Sequence, residues 1–320
     1  MTAPLKVGSR GSALAMHQTR TILAALQGVH PDLRAEIVEI KTVGDRFRDV
    51  PITEMGQQVD RGIFNSALEE AVLAGKVDFA TCSFKDVESD LPAGLTAVPV
   101  LPREDARDVL VTRHRTPLAG LPQGAVLATS SPRRTSQLKA FRPDFRFEPL
   151  RGNITTRVEK DPERFDGVVL AAAGLLRLGL KGHVSDWIGE EVLVPAPAQG
   201  ALGCEFRSHR ADLAALMAAI GHGDTERCVR LEKRVMVLLS GGCYAPIGVH
   251  ARVEGGRLRA RCRIVSLDGK ERAEGEVSGD PARAEALAEE LAGRLADQGG
   301  REIIARTRAA MGQPADGDAP

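Results

Sequence analysis

The stretch AVLATSSPRRTSQLKAF, residues 125–141, reads as a strand, a hydroxyl-rich turn and a helix in immediate succession. Ala125 to Thr129 is apolar and strand-like. Ser131 then supplies a capping hydroxyl, and Pro132 sits at the first helical position, where a missing N–H costs nothing. An apolar pattern of helical spacing follows. Arg133 and Arg134 nevertheless occupy the first turn, where the helix dipole is already positive and each cation costs roughly 0.3–1 kcal/mol. Two cations delivered by a strand to a helix N-terminus are the mark of an anion site in an α/β sheet.

The same strand-then-helix rhythm runs outward in both directions. Before it come LKVGS (5–9), a helical SALAMHQTRTILAAL (12–26), AEIVEIKTV (35–43), a helical FNSALEEAVLAG (64–75) and VDFATCS (77–83). Around it come ARDVLVT (106–112), FRFEPL (145–150), a helix from Asn153, and GVVLAAA (167–173) leading into another helix. The pattern predicts α/β architecture with parallel strands and crossover helices. VPVLPRED (98–105) and LVPAPAQG (193–200) bracket the second series and read as two hinge strands. ALGCEFR (201–207) then reads as a strand returning to the first sheet. A helix over 224–239, turn signals VEGGR (253–257) and SLDGK (266–270), and a helix near 281–297 predict a small α+β domain. The expected divisions are 1–102 with 200–220, 103–199, and 221–311, followed by a disordered tail over 312–320.

Composition narrows the function. Acidic and basic residues balance at 43 each, and only 3% of residues are aromatic, which argues against a nucleic-acid binder. Nine of the 43 basic residues are lysine and the rest arginine, a bias toward bidentate capture of carboxylate or phosphate that genomic base composition would also produce. The five cysteines are scattered without a CxxC, so neither a disulfide framework nor a zinc site is expected. Residues 1–16 lack the pattern of a secretory signal, and no apolar run reaches membrane-spanning length. A cytoplasmic protein that binds neither membrane nor metal is the expectation.

Ligands of open α/β sheets bind beyond the carboxyl ends of the strands, and these ends repeat one chemistry. Arg10 and Ser12 follow the first strand; Ser83, Lys85 and Asp86 follow VDFATC; Thr129, Ser130, Ser131, Arg133 and Arg134 follow AVLA. Arg151, Gly152, Asn153 and Arg157 follow FRFEPL. An anion held between these cations and the helix ends would explain Arg133 and Arg134 by a ligand rather than by the fold. Taken singly, such arginines equally make solvated faces or weak ion pairs, and Ser12 and Ser131 can be simple helix caps. Asp86, a carboxylate among cations, keeps its charge and suits a positive group on a substrate; an ion pair with Lys85 or a cap is the other reading. Cys243, in LLSGGCYAPIG (238–248), follows two glycines that end a helix, on a loop whose backbone lets a thiol reach into a cleft. Nearby arginines would favour its thiolate, whereas Cys204, Cys228 and Cys262 read as small buried hydrophobes.

Together SRGSALA (9–15), GDRFRDVPI (44–52), RGIF (61–64), SFKDV (83–87), TSSPRRTSQL (129–138), LRGNITTRV (150–158), AAAGLLRLG (171–179), PAPAQGALG (195–203) and GGCYAPIG (241–248) closely resemble the porphobilinogen deaminase (hydroxymethylbilane synthase) family, nearly throughout the chain. The resemblance implies two α/β domains built like periplasmic solute-binding proteins, joined by paired hinge strands, plus the small third domain. It implies a dipyrromethane cofactor bound by a thioether to the cysteine matching Cys243. It also implies a transferase of tetrapyrrole (haem) biosynthesis, acting as a monomer. Four porphobilinogens add head to tail with loss of ammonia, and water releases hydroxymethylbilane.

By the same match, Asp86 is the catalytic aspartate that stabilises the azafulvene cation formed as ammonia departs. Arg10, Ser12, Ser83, Lys85, Thr129, Ser130, Ser131, Arg133, Arg134, Arg151, Gly152 and Arg157 hold acetate and propionate groups, with Gln18, Arg61 and Gln199 as further contacts. Two positions depart from the family pattern. Cys82 stands where many relatives have histidine, which predicts sensitivity to oxidation, and Arg61 replaces a lysine after a lengthened MGQQVD segment (55–60) that reads as a mobile lid. A receptor of the same architecture that binds an anion without chemistry is the main rival; it leaves Asp86 and Cys243 without a role.

Overall fold

The computed structural model describes residues 4–41, 66–88, 91–150, 152–159, 161–240 and 245–311. Arg61, the 55–62 segment, Arg151, Cys243 and the 312–320 tail lie outside them.

In chain order the first elements are β1 (Leu5–Ser9), α1 (Ala13–Val29), β2 (Ala35–Glu39), α2 (Ser66–Leu73), β3 (Phe79–Ser83) and β4 (Leu95–Val100). Next come β5 (Asp108–Val111), β6 (Val126–Ala128), α3 (Pro132–Phe141), β7 (Arg146–Glu148), α4 (Ile154–Glu159), β8 (Gly167–Ala171), α5 (Ala172–Arg177) and β9 (Asp186–Ile188). The chain continues through β10 (Leu202–Arg207), α6 (Ala211–Ala218), α7 (Gly223–Leu238), β11 (Ile247–Glu254), β12 (Arg257–Val265), β13 (Arg272–Gly279), α8 (Ala284–Asp297) and α9 (Gly300–Ala310). Two compact units result: residues 1–104 with 200–226, and residues 105–199 with 227–320.

The first unit holds a five-stranded sheet in the order β2-β1-β3-β10-β4. Val7, Ile22, Leu26, Phe79, Phe206 and Met217 pack together, while Leu68, Val72, Val77 and Ala80 form a separate cluster around α2. Helix α1 reaches its cluster through Ile22, Leu23 and Leu26, the spacing of one apolar stripe. The second unit repeats the arrangement as β7-β6-β8-β5-β9 and adds the three-stranded meander β11-β12-β13. On that meander α8 buries Leu287, Ala288, Leu291 and Leu295.

Mixed pairing replaces the uniformly parallel sheets expected from the rhythm. Strand β1 pairs in parallel with β2 and β3, and β6 with β7 and β8. By contrast β10 runs antiparallel to β3 and β4, and β5 antiparallel to β8 and β9. Each of these two strands enters just after the chain has crossed from one unit to the other, so no crossover helix within its own sheet dictates a parallel course. The return of ALGCEFR to the first sheet is as expected. Pro99, within the segment read as a hinge, lies in β4 at the sheet edge, where a strand tolerates a residue without an N–H. Helices α6 and α9 are additions to the expected elements.

Candidate active site

In the first unit β1 and β3 are adjacent and parallel, so their carboxyl ends deliver Arg10 and Ser12, and Ser83, Lys85 and Asp86, to one edge. Ser12 caps α1 by accepting a hydrogen bond from the Ala15 N–H at 3.2 Å. Just inside that edge a buried hydroxyl chain locks the elements together. The Thr19 Oγ1 lies 2.7 Å from Ser9 Oγ and 2.6 Å from Thr81 Oγ1, joining α1 to β1 and β3. One residue earlier on α1, the buried Gln18 donates from Nε2 to Ser83 Oγ at 2.9 Å. Two residues expected near the ligand, Gln18 and Ser83, are thus brought together by the helix.

Asp86 and Lys85 are half-buried on a single 3-10 turn, Phe84–Asp86. The turn is anchored twice. The Phe84 N–H donates to the Ala201 carbonyl at 3.0 Å, and the Phe84 ring covers Gly203 of β10. A Cβ on Gly203 would lie 2.1 Å from the ring, so only glycine there lets Phe84 seat and hold the turn. The sequence reading missed this support; the signal was the glycine inside an otherwise regular strand pattern.

Cys82 lies behind this turn and is buried, with Sγ 3.7 Å from both the Gly203 carbonyl and Glu205 Oε1. Burial pushes its thiol well above the ordinary range, and the charges of Glu205 and Asp86 add to the rise. The expected oxidation sensitivity is therefore corrected, because reactivity needs an accessible thiolate. Cys204, Cys228 and Cys262 are buried too, as expected. A thiol-alkylating reagent followed by peptide mass mapping should leave all four unmodified in the native protein and label them after unfolding. Native labelling of Cys82 would show that this strand end opens.

In the second unit β6 and β7 end side by side. Thr129 donates its N–H to the Glu148 carbonyl and accepts from the Ser131 N–H through Oγ1. The Ser130 hydroxyl donates to the Leu150 carbonyl at 2.8 Å and accepts from the Leu150 N–H at 2.9 Å, tying the two strand ends together. Gly152 follows with φ +109°, a left-handed conformation that favours glycine and turns the chain into α4, where Arg157 is half-buried. Ser131 caps α3, accepting from the Arg134 N–H, with Pro132 opening the helix.

Arg133 and Arg134 converge on Asp108, the first residue of β5, which is fully buried. Arg133 Nη1 donates to Asp108 Oδ2 at 2.7 Å and to the Val194 carbonyl at 2.8 Å. Arg134 donates from Nε at 2.9 Å and from Nη2 at 2.7 Å to Asp108 Oδ1, and from Nη1 to the Val169 carbonyl at 3.0 Å. Burial alone would raise the Asp108 pKa, but the two guanidiniums outweigh it and hold the carboxyl below the usual range. The expectation that a ligand rather than the fold accounts for these arginines is thus corrected. An anion does sit at the helix start, and the fold supplies it. With two cations to one carboxylate the cluster keeps a surplus positive charge, which suits the carboxylates of an anionic group. Gln199 is also wholly buried, donating from Nε2 to the Ala106 carbonyl at 2.7 Å and to Asp108 Oδ1 at 3.1 Å.

Two family models cover the chain. The first, "Porphobilinogen deaminase, dipyromethane cofactor binding domain", matches residues 5–215, and the second, "Porphobilinogen deaminase, C-terminal domain", matches residues 226–297. The chain belongs to the porphobilinogen deaminase family. Among its relatives are the porphobilinogen deaminases of Syntrophomonas wolfei, 42% identical over 95% of this chain and 99% of the relative, and of Desulforudis audaxviator, 41% identical over 97% and 99%. Of solved structures, the periplasmic VFT2 domain of Bordetella pertussis BvgS is similar at 15% identity and TM-score 0.41, covering 68% of this chain and 86% of that one. Porphobilinogen deaminases are transferases that condense porphobilinogen in tetrapyrrole biosynthesis and carry a dipyrromethane cofactor. The expected architecture also holds: two α/β sheets and a small C-terminal sheet. Among the described residues no helix is long and apolar enough to cross a membrane, and no group of three or more side chains is arranged to hold a metal.

Proposed function

We propose that Asp86 is the catalytic group and that the strand-end cations hold the carboxylates of substrate and dipyrromethane. Supporting this reading is one recurrent arrangement: hydroxyls and cations follow parallel strands of both sheets, and the Asp86 carboxylate stands with those of the first. Each porphobilinogen carries an acetate and a propionate, so the growing product is a polycarboxylate. Within the first unit Arg10 and Lys85 supply cationic donors and Ser12 and Ser83 neutral hydroxyls; within the second Arg134, Arg151 and Arg157 supply cationic donors and Thr129 a hydroxyl. Arg133, sunk beneath Arg134, adds its charge more than its N–H groups. Ser130 and Ser131 set the backbone of this turn, and Gly152 does so for the next.

The Asp86 carboxylate has two tasks in this reading. Its oxygens accept hydrogen bonds from pyrrole N–H groups, which orients the substrate. Its charge faces the positive charge that develops on the substrate as ammonia leaves, an interaction stronger in the transition state than in the ground state. Dipyrromethane, when bound, supplies the tethered pyrrole carbon to which the next ring is joined.

Cys243 is proposed as the attachment point through a thioether, its sulfur taking the place of ammonia on an aminomethyl carbon while the thiol proton leaves with the amine. Its place after two glycines in the sequence supports the choice, as does the burial of Cys82, Cys204, Cys228 and Cys262. A monomer in the cytoplasm is part of the same proposal. A division near residue 220 is supported by the family models, the first ending at 215 and the second starting at 226. Intact mass tests the attachment. The purified protein should carry a fixed increment equal to a dipyrromethane, and Cys243→Ala should lack both the increment and ammonia release. An increment that persists in Cys243→Ala would move the attachment elsewhere.

A further inference from the structure

We propose that Asp108 is a positioning residue of the reaction: it sets the plane of Arg134 so that the guanidinium's terminal edge faces a ligand carboxylate. This inference rests on the reading of Arg134 as a carboxylate holder.

Hydrogen-bond counting carries the argument. A guanidinium has five N–H groups in a fixed fork. Three of those on Arg134 are used within the fold: Nε and one hydrogen of Nη2 on Asp108 Oδ1, and one hydrogen of Nη1 on the Val169 carbonyl. Two contacts along one side and a third at the opposite terminal nitrogen fix the plane. What is left is one hydrogen on each Nη, two charged donors for a ligand carboxylate. The Arg134 side chain retains 11% exposure, whereas that of Asp108 has none, so the carboxylate works only through its partners.

Apart from Arg134, two residues hold Asp108 in place. Arg133 holds Oδ2 from below while tied to the Val194 carbonyl, and Gln199 reaches Oδ1 from the segment just before the second crossing between units. Gln199 also holds the Ala106 carbonyl, just after the first crossing. Both crossing segments of the second unit therefore end on the carboxylate that aims Arg134. Without Asp108 the guanidinium keeps only its Val169 contact and is free to rotate.

A double-mutant cycle on the full chain tests this. Arg134→Leu, Asp108→Leu and the double variant are compared by the fraction carrying the dipyrromethane mass increment, and by KM and kcat of the loaded fraction. Arg134→Leu should raise KM for porphobilinogen about tenfold or more, the loss of a charge-assisted bidentate contact. Asp108→Leu, which leaves no acceptor for the guanidinium, should raise KM comparably with kcat changed less than about threefold, and the double variant should be no worse than the poorer single variant. Should Asp108→Leu fail to fold, Asp108→Leu/Arg133→Met keeps one cation opposite no anion in place of two and is expected to show the same KM. If Arg134→Leu leaves KM and loading unchanged, the carboxylate-holding reading fails. If Arg134→Leu raises KM while folded Asp108 variants keep wild-type KM and loading, the positioning role fails and Asp108 serves stability alone.

Discussion

Asp86→Asn is expected to release ammonia about 100- to 1000-fold more slowly than the wild type, the loss typical of removing one preorganised electrostatic group. Asparagine nearly matches the shape of aspartate and keeps one acceptor oxygen, so the substitution removes charge and little else. The surroundings favour that clean outcome. The Phe84–Asp86 turn is held by the Phe84 N–H bond to Ala201 and by the Phe84 ring over Gly203, neither of which involves the carboxylate. The match in shape should keep the turn folded, and dipyrromethane should remain attached in most molecules. Ammonia release with intact mass on the same preparation separates the effects. Near-normal turnover in a fully loaded Asp86→Asn protein would remove Asp86 from the chemistry.

Most of the architecture was legible because its signals are local. Ser12 and Ser131 cap their helices as their positions predicted, since a cap is decided within four residues. The hairpin turns at Gly255–Gly256 and around Gly269 were equally local, needing left-handed glycines between alternating strands. Strand direction was harder to read. The strand Asp108–Val111 looks the same whether it pairs in parallel or antiparallel, because both of its faces are covered. The direction is decided by where the chain enters the sheet, which no window of sequence contains.

The site divides along the same line. Strand-end cations were found because they follow apolar runs, and Gln18 meets Ser83 because a helix turn carries it there. Asp108 was missed. It is one acid at the start of an ordinary strand, and its partners lie 25 and 26 residues further on. Two arginines in a first helical turn pointed to an anion, but they could not say whether it comes from a ligand or from another strand. Gln199 shows a related limit. Its buried amide is committed to Ala106 and Asp108, which only the pairing of the two crossing segments reveals.

Arg133→Leu should lower unfolding free energy by about 3 kcal/mol near neutral pH, the lower part of the range for breaking a buried ion pair, because Arg134 and Gln199 still face Asp108. Two losses add. Asp108 Oδ2 loses its cation, and the Val194 carbonyl loses the donor at 2.8 Å. The deficit should depend on pH with a definite sign. In the wild type the Asp108 carboxyl is held below the usual carboxylate range by the two arginines, against the opposing effect of burial. A folded pKa below the unfolded value gives stability that is fully present above the unfolded pKa, about 3.9 for aspartate, and is lost progressively as pH falls below it. Arg133→Leu moves the folded value up toward the unfolded one, so the variant has less of this stability to lose on acidification. The gap between the two proteins should therefore be widest above about pH 5 and should narrow through pH 4 to 3. Urea unfolding of preparations matched for dipyrromethane loading, at pH 7 and at pH 3.5, measures both values. A gap of the same size at both would mean that Arg133 supports the fold by packing and by Val194 alone, and that the charge of Asp108 is balanced by Arg134 without it.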